Sequence, residues 1–507
     1  MRGFIKKDTF SGKLYLRYKV FKDQGWPVTP ICVDLDDTFI KTDALHEYLI
    51  SAIKKSPIMF FKCIFWLLKG RSYLKSQLVR NVQLNIDQLP YNEELIEFLK
   101  DKSSKGRGVY LVSASNTDIV QKVIRKFDFF SGGYGSTESL NLKGENKASF
   151  LAQEFGEKGF DYIGDCAADI PIWKRANECF LVGPKSEKSF SSIKFTKVFK
   201  FKKNSIGSMI KAMRVYQWAK NLLIFAPMIL AHKYTDSSTW INSVLGFVSF
   251  SFMASSIYLL NDLADMPADR DHYKKKNRPL ASGSLSIPRG IILLITLITT
   301  SFYISSYLPS KFCLILVGYT VLNLGYSFKL KKVPIVDVIL LSAFYMIRLE
   351  AGSAASEIYL TQWLIIFALF TFASLGFLKR YCELLEQFNI SGKVSVEGRG
   401  YNTKDLSMLL SSGNVTGQLS VLCFLLYLFM GGAAKYYGAP KILLLNGIFY
   451  FYWITTLWFK ATRGKVSGDP VKYSITDKAS LIVGIISVIN ILFAKYFDTI
   501  VNNFSQH

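Results

Sequence analysis

The sequence predicts an α/β domain followed by an all-α polytopic membrane bundle. Short β-branched runs such as PVTPICVDLDD, GRGVYLVSAS and FDYIGDC alternate with helical stretches between residues 28 and 200, and long apolar runs follow one another after Lys200. Short apolar runs of this kind are typical of buried parallel strands, whereas runs of about 20 apolar residues have the length of a membrane span. The chain is therefore expected to be a soluble head joined to a membrane body.

Composition narrows the classes of ligand. The chain has 507 residues and a formal charge of +24, but its later basic residues cluster beside the apolar runs, which favours anionic lipid and phosphate over nucleic acid. The seven cysteines form no CxxC pair and are expected to be buried free thiols. The four histidines lack metal-ligand spacing, so no zinc site is expected. The basic N-terminus has no apolar core of signal-peptide length, which predicts a cytoplasmic head.

The composition shifts predict four regions: an extension at 1–27, the head at 28–200, an amphipathic linker at 201–219 and the membrane body at 220–498. The long helical pattern between the first two strands predicts a cap at about 42–105, because it exceeds an ordinary crossover. Its apolar run SPIMFFKCIFWLLKG is too short to cross a bilayer. The favoured interpretation is that this run is cap core, and the alternative is that it rests on a membrane.

The body is expected to contain about nine spans. The predicted spans lie near 220–232, 241–260, 288–307, 312–328, 333–350, 360–378, 414–433, 441–459 and 479–496. Lys and Arg accumulate on alternate connections, namely DRDHYKKKNRP, KLKK, KRYCELLEQ and KATRGK. By the positive-inside rule these connections and the head should be cytoplasmic, with the C-terminus outside.

Two aspartates, Asp34 and Asp36, directly follow the first predicted strand. They should therefore lie at the carboxyl edge of the sheet, where ligands bind in α/β folds. One carboxylate there can attack phosphorus while the other moves a proton. Further polar residues follow later strands or begin later helices: Ser113, Lys147 (or Lys143), Asp165 and Asp169.

Taken in order, DLDDT, the strand-terminal Ser, the Lys and GDCAAD resemble the haloacid-dehalogenase-type phosphatases. The resemblance implies a Rossmann-like fold with a helical cap, with Asp34 as nucleophile and Asp36 as general acid and base. It further implies that Ser113 and Lys147 bind the phosphoryl group. Asp165 would bind Mg²⁺ with support from Asp169, at a metal site shared with the first two aspartates. Asp37 departs from the family pattern, in which Gly is common.

A second acidic cluster lies at the end of the second predicted span. Asp262, Asp265 and Asp269 are spaced by three and four in YLLNDLADMPADRDHYKKKNRPLASG, with Asn261 adjoining, so on a helix they share one face. Oxygen ligands beside a phosphate-binding region favour Mg²⁺ that bridges to a diphosphate. Acidic residues at a membrane boundary point to function, because they are costly there.

This segment resembles the UbiA-type transferases, whose hallmark is NDxxDxxxD. The continuation DRDHYKKKNRPLASG, the earlier RVYQWAKNLLIFAP and the later YSFKLKKVPIVD resemble the decaprenyl-phosphate phosphoribosyltransferase branch, as do the KRYCEL and DPVKYSITD stretches. Tyr273 departs from the Pro that this branch usually has. The resemblance implies a set of substrate-binding residues: Asn261, Lys275, Arg278, Tyr326, Lys331, Asp337, Arg348, Lys379, Arg380 and Arg399.

The basic residues at the ends of the spans exceed what one diphosphate needs. For Lys329 and Lys331, setting the topology is an equally good explanation. Arg348 is different, because an arginine within an apolar span is costly without a partner. Asp337 is expected either to orient ribose hydroxyls or to assist the metal, and the sequence leaves both roles open.

The resemblance implies Mg-dependent transfer of 5-phosphoribosyl from phosphoribosyl diphosphate to a polyprenyl phosphate. The product would carry a phosphomonoester for the head to hydrolyse, and the tether would raise its effective concentration. The alternatives are an ordinary prenyl transferase with an aromatic or other acceptor, and a head that acts on an unrelated phosphate. A transporter or lipid-binding scaffold is disfavoured, since two sets of carboxylates would then have no task. Lipid length and oligomeric state are left open.

Overall fold

The computed structural model describes residues 29–504 apart from 57, 138–139, 184–186, 202, 392–398, 432–436 and 467–468. The predicted N-terminal extension at 1–27 lies outside these residues. The chain divides into two compact units. The first runs to Ala212 and adds Asp262–Ile292, and the second comprises Met213–Asn261 and the chain from Leu293 onward.

The head contains one parallel sheet of six strands in the order β3-β2-β1-β4-β5-β6. β1 is central, because Ile31 aligns with Val109 of β2 on one side and with Asp161 of β4 on the other. This arrangement confirms the predicted α/β class. The strands are β1 (Ile31–Val33), β2 (Val109–Asn116), β3 (Gly132–Ser136), β4 (Asp161–Gly164), β5 (Cys179–Val182) and β6 (Lys197–Phe199).

Helices cover both faces of the sheet and form the inserted cap. Asp43 caps the first helix, since its side chain accepts a hydrogen bond from the N–H of Leu45 at 2.8 Å, a favourable contact at a helix start. The helices are α1 (Ala44–Lys55), α2 (Ile58–Leu68), α3 (Arg71–Asn81), α4 (Glu93–Ser104), α5 (Thr117–Lys126), α6 (Glu145–Phe155) and α7 (Ile170–Arg175).

The apolar helix α2 is mostly not cap core. Only Met59 and Cys63 are buried, whereas Phe61 is 70% exposed and Leu68 is 82% exposed. The favoured sequence interpretation is therefore wrong for most of this helix. An 11-residue helix with one apolar face in solvent has the character of an interfacial helix rather than of a packed one.

The segment Asp262–Ile292 belongs to the first unit, where it packs on the start of the cap. The guanidinium of Arg270 donates to both carboxylate oxygens of Glu47, at 2.7 and 3.0 Å, and both side chains are at least 90% buried. Gly283 has a φ of +73°, and a β-carbon there would lie 2.5 Å from the carbonyl oxygen of Lys41. Glycine is required by both the backbone conformation and the close approach.

The second unit is helical. Its helices, together with those that cross into it, are α9 (Ala226–Leu230), α10 (Ser237–Asp271), α11 (Ile287–Ser305), α12 (Ser310–Phe328), α13 (Val336–Ser356), α14 (Gln362–Ser391), α15 (Leu406–Met430), α16 (Leu444–Thr462), α17 (Pro470–Thr476) and α18 (Lys478–Phe504), and they follow α8 (Ile206–Met213) of the predicted linker. α10 and α11 each begin in one unit and end in the other.

Seven of the described helices are long and apolar enough to cross a membrane, namely α10, α11, α13, α14, α15, α16 and α18. A further predicted span, 312–328, corresponds to the 19-residue α12. The prediction of one continuous span at 220–232 is wrong. A 3-10 segment, Val215–Phe225, precedes the five-residue α9 there. Pro227 explains the break, because proline removes an N–H and clashes with the preceding turn of an α-helix.

Glycines allow close packing between helices of the second unit. A β-carbon at Gly352 of α13 would overlap the Ile224 carbonyl, and one at Gly413 of α15 would overlap the indole of Trp458. Small residues at such contacts are typical of membrane helix pairs. The helices are therefore held close enough to bring buried polar side chains together.

Candidate functional site

The carboxylate of Asp34 follows β1 directly and is buried beside the ammonium group of Lys147. Nζ of Lys147 lies 2.9 Å from Asp34 Oδ1, 3.0 Å from the hydroxyl of Tyr162 and 3.2 Å from the carbonyl oxygen of Val112. Lys143, the alternative from the sequence, is exposed. The structure therefore selects Lys147 as the base next to the first aspartate.

Asp36 turns toward the hydroxyls at the end of β2. Its Oδ2 accepts from Ser115 at 2.7 Å and from Ser113 at 3.3 Å, while its Oδ1 accepts from the N–H of Ala44 at 2.8 Å. Ser115 was not predicted as a site residue from the sequence. The signal was available, because residues two apart on a strand share a face, and Ser115 repeats Ser113 at that spacing.

Asp169 positions the loop that carries Asp165. Its Oδ2 accepts the N–H groups of Asp165 and Cys166, each at 3.1 Å, and its Oδ1 accepts the hydroxyl of Tyr162 at 2.9 Å. Both oxygens are thus engaged by the protein. Asp169 suits a supporting role, and Asp165 is left as the oxygen donor that faces the other carboxylates. Tyr162 was also missed, since its hydroxyl lies within an apolar strand.

Burial and mutual repulsion raise the pKa values of these carboxyl groups. Burial raises the pKa of Asp34 to about 6 despite the attraction of Lys147. The pKa of Asp36 is raised to about 7 by burial and then by Asp43, and that of Asp165 to about 8 by burial and then by Asp169. Carboxylates whose charges are this poorly compensated are suited to a divalent cation.

Donor spacing agrees with a metal site in the head. Ligand atoms of Asp165, Cys166 and Asp169 lie within 4.8 Å of one another. The carboxylate oxygens of this group are of the type that Mg²⁺ prefers. The Asp165 and Asp169 carboxylates therefore suit Mg²⁺, whereas the Cys166 thiol does not.

Asp37, where the family commonly has Gly, has a left-handed backbone with a φ of 56°. Such a conformation explains the family preference for glycine, although aspartate also tolerates it. Its carboxylate forms an ion pair with Lys203, whose side chain is 7% exposed. The extra acid is thus neutralised by a base that follows the last strand.

Acidic residues of α10 form ion pairs with Arg278. Nη1 of Arg278 lies 3.1 Å from Asp262 Oδ1 and 2.6 Å from Asp269 Oδ2, and both carboxylates are almost fully buried. Asp265 is half-buried and Lys275 is exposed. Among the described residues, the three aspartates do not form a group of ligand atoms within 4.8 Å of one another. The carboxylate oxygens of these three residues are of the type that Mg²⁺ prefers. In this arrangement Arg278 neutralises Asp262 and Asp269.

Arg348 lies inside the second unit and forms a hydrogen bond with Asn221 there. Its Nε donates to Asn221 Oδ1 at 2.8 Å, and Nδ2 of Asn221 donates to Ser251 at 2.9 Å. The guanidinium also lies 5.3 Å from the ring centres of Phe250 and Tyr319. These partners are a neutral amide and aromatic rings, so in these contacts no carboxylate neutralises the positive charge of Arg348.

Asp337 anchors two arginines. It is fully buried and forms ion pairs with Arg380 and with Arg399, the latter at 3.2 Å. The hydroxyl of Tyr326 donates to Asp337 Oδ1 at 2.8 Å, and Arg380 also pairs with Glu383. These contacts favour a positioning role for Asp337 over direct contact with ribose or metal.

Lys220 and Lys379 share one carboxylate. Lys220 forms an ion pair with Asp469, and Nζ of Lys379 lies 3.6 Å from the same carboxylate. Asp469 was not singled out from the sequence, because the pairing joins residues 249 apart in the chain. Lys220 and Lys379 therefore give this part of the unit an excess positive charge. Lys331 and Asn261, which were also predicted to bind substrate, are half-buried.

A protein-family model described as the UbiA prenyltransferase family matches residues 222–468. The chain is 32% identical over 460 residues to "Uncharacterized protein y4nM" of Sinorhizobium fredii, an alignment that covers 90% of this chain and 89% of that protein. It is 37% identical over 196 residues to the decaprenyl-phosphate phosphoribosyltransferase of Corynebacterium glutamicum, which covers 38% of this chain and 59% of that protein.

Solved structures align with each half. A UbiA homolog from Archaeoglobus fulgidus bound to GPP and Mg²⁺ aligns with a TM-score of 0.43 and 18% identity, covering 57% of this chain and 98% of that one. A phosphoglycolate phosphatase homolog from Lactobacillus delbrueckii aligns with a TM-score of 0.26 and 14% identity, covering 34% of this chain and 94% of that one.

Proposed function

Because the chain belongs to the UbiA prenyltransferase family and the motifs of its head resemble those of the haloacid-dehalogenase-type phosphatases, we propose that it transfers 5-phosphoribosyl from phosphoribosyl diphosphate to a polyprenyl phosphate. The head then removes the 5-phosphate from the lipid product. The proposed location is a bacterial inner membrane, with the head and both active sites on the cytoplasmic side. The phosphoribosyltransferase relative supports this choice of substrates.

The observation that carries the transfer is the pair of lysines that share Asp469. Lys220 and Lys379 present two positive charges to one carboxylate, and Arg348 contributes a third charge held by a neutral amide. A prenyl transfer needs to neutralise one diphosphate, whereas phosphoribosyl transfer also brings a 5-phosphate and a lipid phosphate. The surplus of cations therefore favours phosphoribosyl transfer over prenyl transfer.

In the transfer, an oxygen of the lipid phosphate attacks C1 of ribose, and the bond from C1 to the diphosphate oxygen breaks as diphosphate leaves with the electron pair. No strong base is required, because a lipid phosphate is already ionised at neutral pH. Asp262, Asp265 and Asp269 would hold Mg²⁺, which would supply charge neutralisation for the leaving diphosphate. Lys275 and Arg278 bind phosphate beside these acids. Within the second unit, Asp337 holds Arg380 and Arg399 in position.

In the head, Asp34 attacks phosphorus and the bond from phosphorus to the ribose oxygen breaks. Asp36 gives its proton to that oxygen, and its pKa of about 7 suits this task. Asp36 next takes a proton from water as the water attacks phosphorus, which releases inorganic phosphate and restores Asp34. Lys147 and Ser113 hold the phosphoryl group. Mg²⁺ at Asp165 would offset the repulsion between carboxylate and phosphate.

The test incubates the purified chain with Mg²⁺, labelled phosphoribosyl diphosphate and polyprenyl phosphate, followed by analysis of the lipid fraction. Label should enter the lipid fraction as ribosyl lipid, and label that stays wholly in water would contradict the transfer. The Asp34→Asn variant should yield lipid that retains its 5-phosphate. An unchanged product from that variant would separate the head from this reaction.

The prenyl-transferase alternative is tested by supplying a prenyl diphosphate and an aromatic acceptor in place of these substrates. Prenylated acceptor, formed with no labelled lipid in the first assay, would establish that alternative. Release of phosphate from soluble esters alone would assign the head an unrelated substrate.

A further inference from the structure

A cavity of about 430 Å³ lies beside the carboxylates of the head. Asp37 and Asp165 line it from the head, Ser286 lines it just before α11, and Pro288 and Arg289 line it from the first turn of α11. All of these residues belong to the first compact unit. Pockets for small ligands measure about 300–1,000 Å³, so this cavity has room for a sugar phosphate.

The wall that α11 contributes is fixed by hydrogen bonds. The N–H of Ser286 donates to Asn204 Oδ1 at 2.8 Å, and the N–H of Asn204 donates to the carbonyl oxygen of Ser284 at 2.7 Å. Asn204 follows Lys203, which pairs with Asp37 on the catalytic loop. The start of α11 is thus connected through two adjacent residues to the loop that bears Asp34 and Asp36.

The cavity carries bases that the phosphoryl-transfer chemistry does not use. Lys203 is neutralised by Asp37, whereas Arg289 is exposed and its nearest described contact is the carbonyl oxygen of Asn204, 3.5 Å from Nη1. His46 also lines the cavity and lies 3.8 Å from Asp43. A phosphoryl group at Asp34 would leave Arg289 available for a second anionic group of the same substrate.

The cavity also lies at the end of a membrane-length helix. Arg289 is in the first turn of α11, one of the seven candidate spans. In the same unit, α2 presents exposed apolar side chains such as Phe61 and Leu68. Both features are expected of a pocket at a membrane surface, where the substrate would be anchored by a lipid chain.

We infer that this cavity is the substrate site of the phosphatase and that Arg289 binds a second anionic group. The substrate class is a membrane-anchored phosphomonoester that also carries a phosphodiester. This inference rests on the proposed function, which supplies the active phosphatase and the ribosyl phosphodiester substrate. It adds a specificity residue contributed by the transferase half of the chain.

The test measures inorganic phosphate released by the full chain in phosphatidylcholine vesicles. Three probes are compared: ribose 5-phosphate, its 1-(methyl phosphate) diester, and its 1-(farnesyl phosphate) diester. The wild type should prefer the methyl diester to ribose 5-phosphate by about tenfold in kcat/KM, the size of one charge-assisted hydrogen bond. Most of this preference should appear in KM, and the farnesyl diester should be preferred further.

Arg289→Ala should abolish the preference for the methyl diester over ribose 5-phosphate, and Arg289→Lys should restore part of it. Arg125→Ala, which removes an exposed arginine at the end of α5, should leave the rates on all three probes and their ratios at wild-type values. An unchanged ratio in Arg289→Ala, or equal wild-type rates on all three probes, would overturn the inference alone. If inorganic phosphate is released from none of the three probes, the proposed phosphatase is overturned as well. The transfer of label to lipid is measured in a separate assay.

Discussion

Arg270 and Glu47 form a buried, bidentate ion pair between the end of α10 and the first helix of the cap. Arg270 directly follows Asp269, the last of the three aspartates proposed for the transferase, and Glu47 also accepts the hydroxyl of Thr42 at 2.8 Å. The pair therefore connects the acidic motif of one activity to the cap of the other. Because both side chains are buried, breaking this ion pair should lower the free energy of unfolding by a measurable amount.

Glu47→Gln should destabilise the protein by about 3–5 kcal/mol, because it leaves a buried guanidinium without its counter-charge. The measurement is the free energy of unfolding in detergent, followed with chemical denaturant. Glu145→Gln is the matched control, since the Glu145 pair with Arg175 is 62% and 32% exposed and such pairs contribute about 0–1 kcal/mol. Equal losses in the two variants would contradict the role assigned to the buried pair.

Gly352→Ala should destabilise the second unit by about 3 kcal/mol, the upper part of the range for overpacking, because the added carbon would meet backbone that cannot move aside. Gly318→Ala is the control on α12, since nothing lies within 4 Å of its added carbon. Thermal unfolding midpoints report both. A wild-type midpoint for Gly352→Ala would show that α13 and the Ile224 segment are not in this close contact.

Asn221→Leu should cost about 2–3 kcal/mol, because it removes the acceptor of a buried charged group. Transfer to lipid should fall with it, since Arg348 would lose the contact that orients it. Asn414→Leu is the comparison, because the amide of Asn414 bonds only a carbonyl of its own helix at 3.0 Å in the described contacts. If Asn221→Leu matches Asn414→Leu in stability and in transfer, Arg348 is not held by Asn221.

Chelation of divalent cations should abolish phosphate release by the head, and added Mg²⁺ should restore it. Asp165→Asn should raise the Mg²⁺ concentration required for half-maximal release by at least about tenfold, because a charged oxygen ligand is lost. Asp128→Asn, at an exposed position outside the cluster, should retain the wild-type requirement. Unchanged Mg²⁺ dependence in Asp165→Asn would remove this residue from the metal site.

A nitroxide attached to a cysteine at position 61 of α2 should lie within the lipid interface. Exposed aromatic and aliphatic side chains on a short helix favour this location, and Phe61 is 70% exposed. The expected result in vesicles is high accessibility to oxygen and low accessibility to a water-soluble nickel complex. A nitroxide at Ser104, on the exposed end of α4, should show the opposite, and equal values would place α2 in water.

The chemistry of the head was largely predictable, because its motifs follow strands whose carboxyl ends must meet. Asp34, Asp36, Ser113, Lys147 and Asp165 do lie together. The contributions of Tyr162 and Lys203 were not predictable. Each depends on a side chain crossing between elements distant in sequence, and no local pattern records such a contact.

In the body, hydropathy predicted the spans that are continuous helices and failed where backbone chemistry interrupts an apolar run. Residues 220–232 are apolar, but Pro227 prevents one α-helix. The sequence also identified the basic residues without showing their neutralisation. Arg380 lies on α14 and Asp337 on α13, so whether Arg380 faces substrate or Asp337 depends on how these two helices pack. The pairing of Arg380 with Asp337 is therefore set by tertiary structure.

The placement of Asp262–Ile292 with the head has a practical consequence for anyone who would express the phosphatase by itself. A polypeptide terminated after Ala212 would lack the guanidinium that neutralises Glu47 and the glycine turn seated on Lys41. It would also lack the α11 residues that line the cavity beside Asp165. The phosphatase should therefore be expressed and purified as part of the full chain.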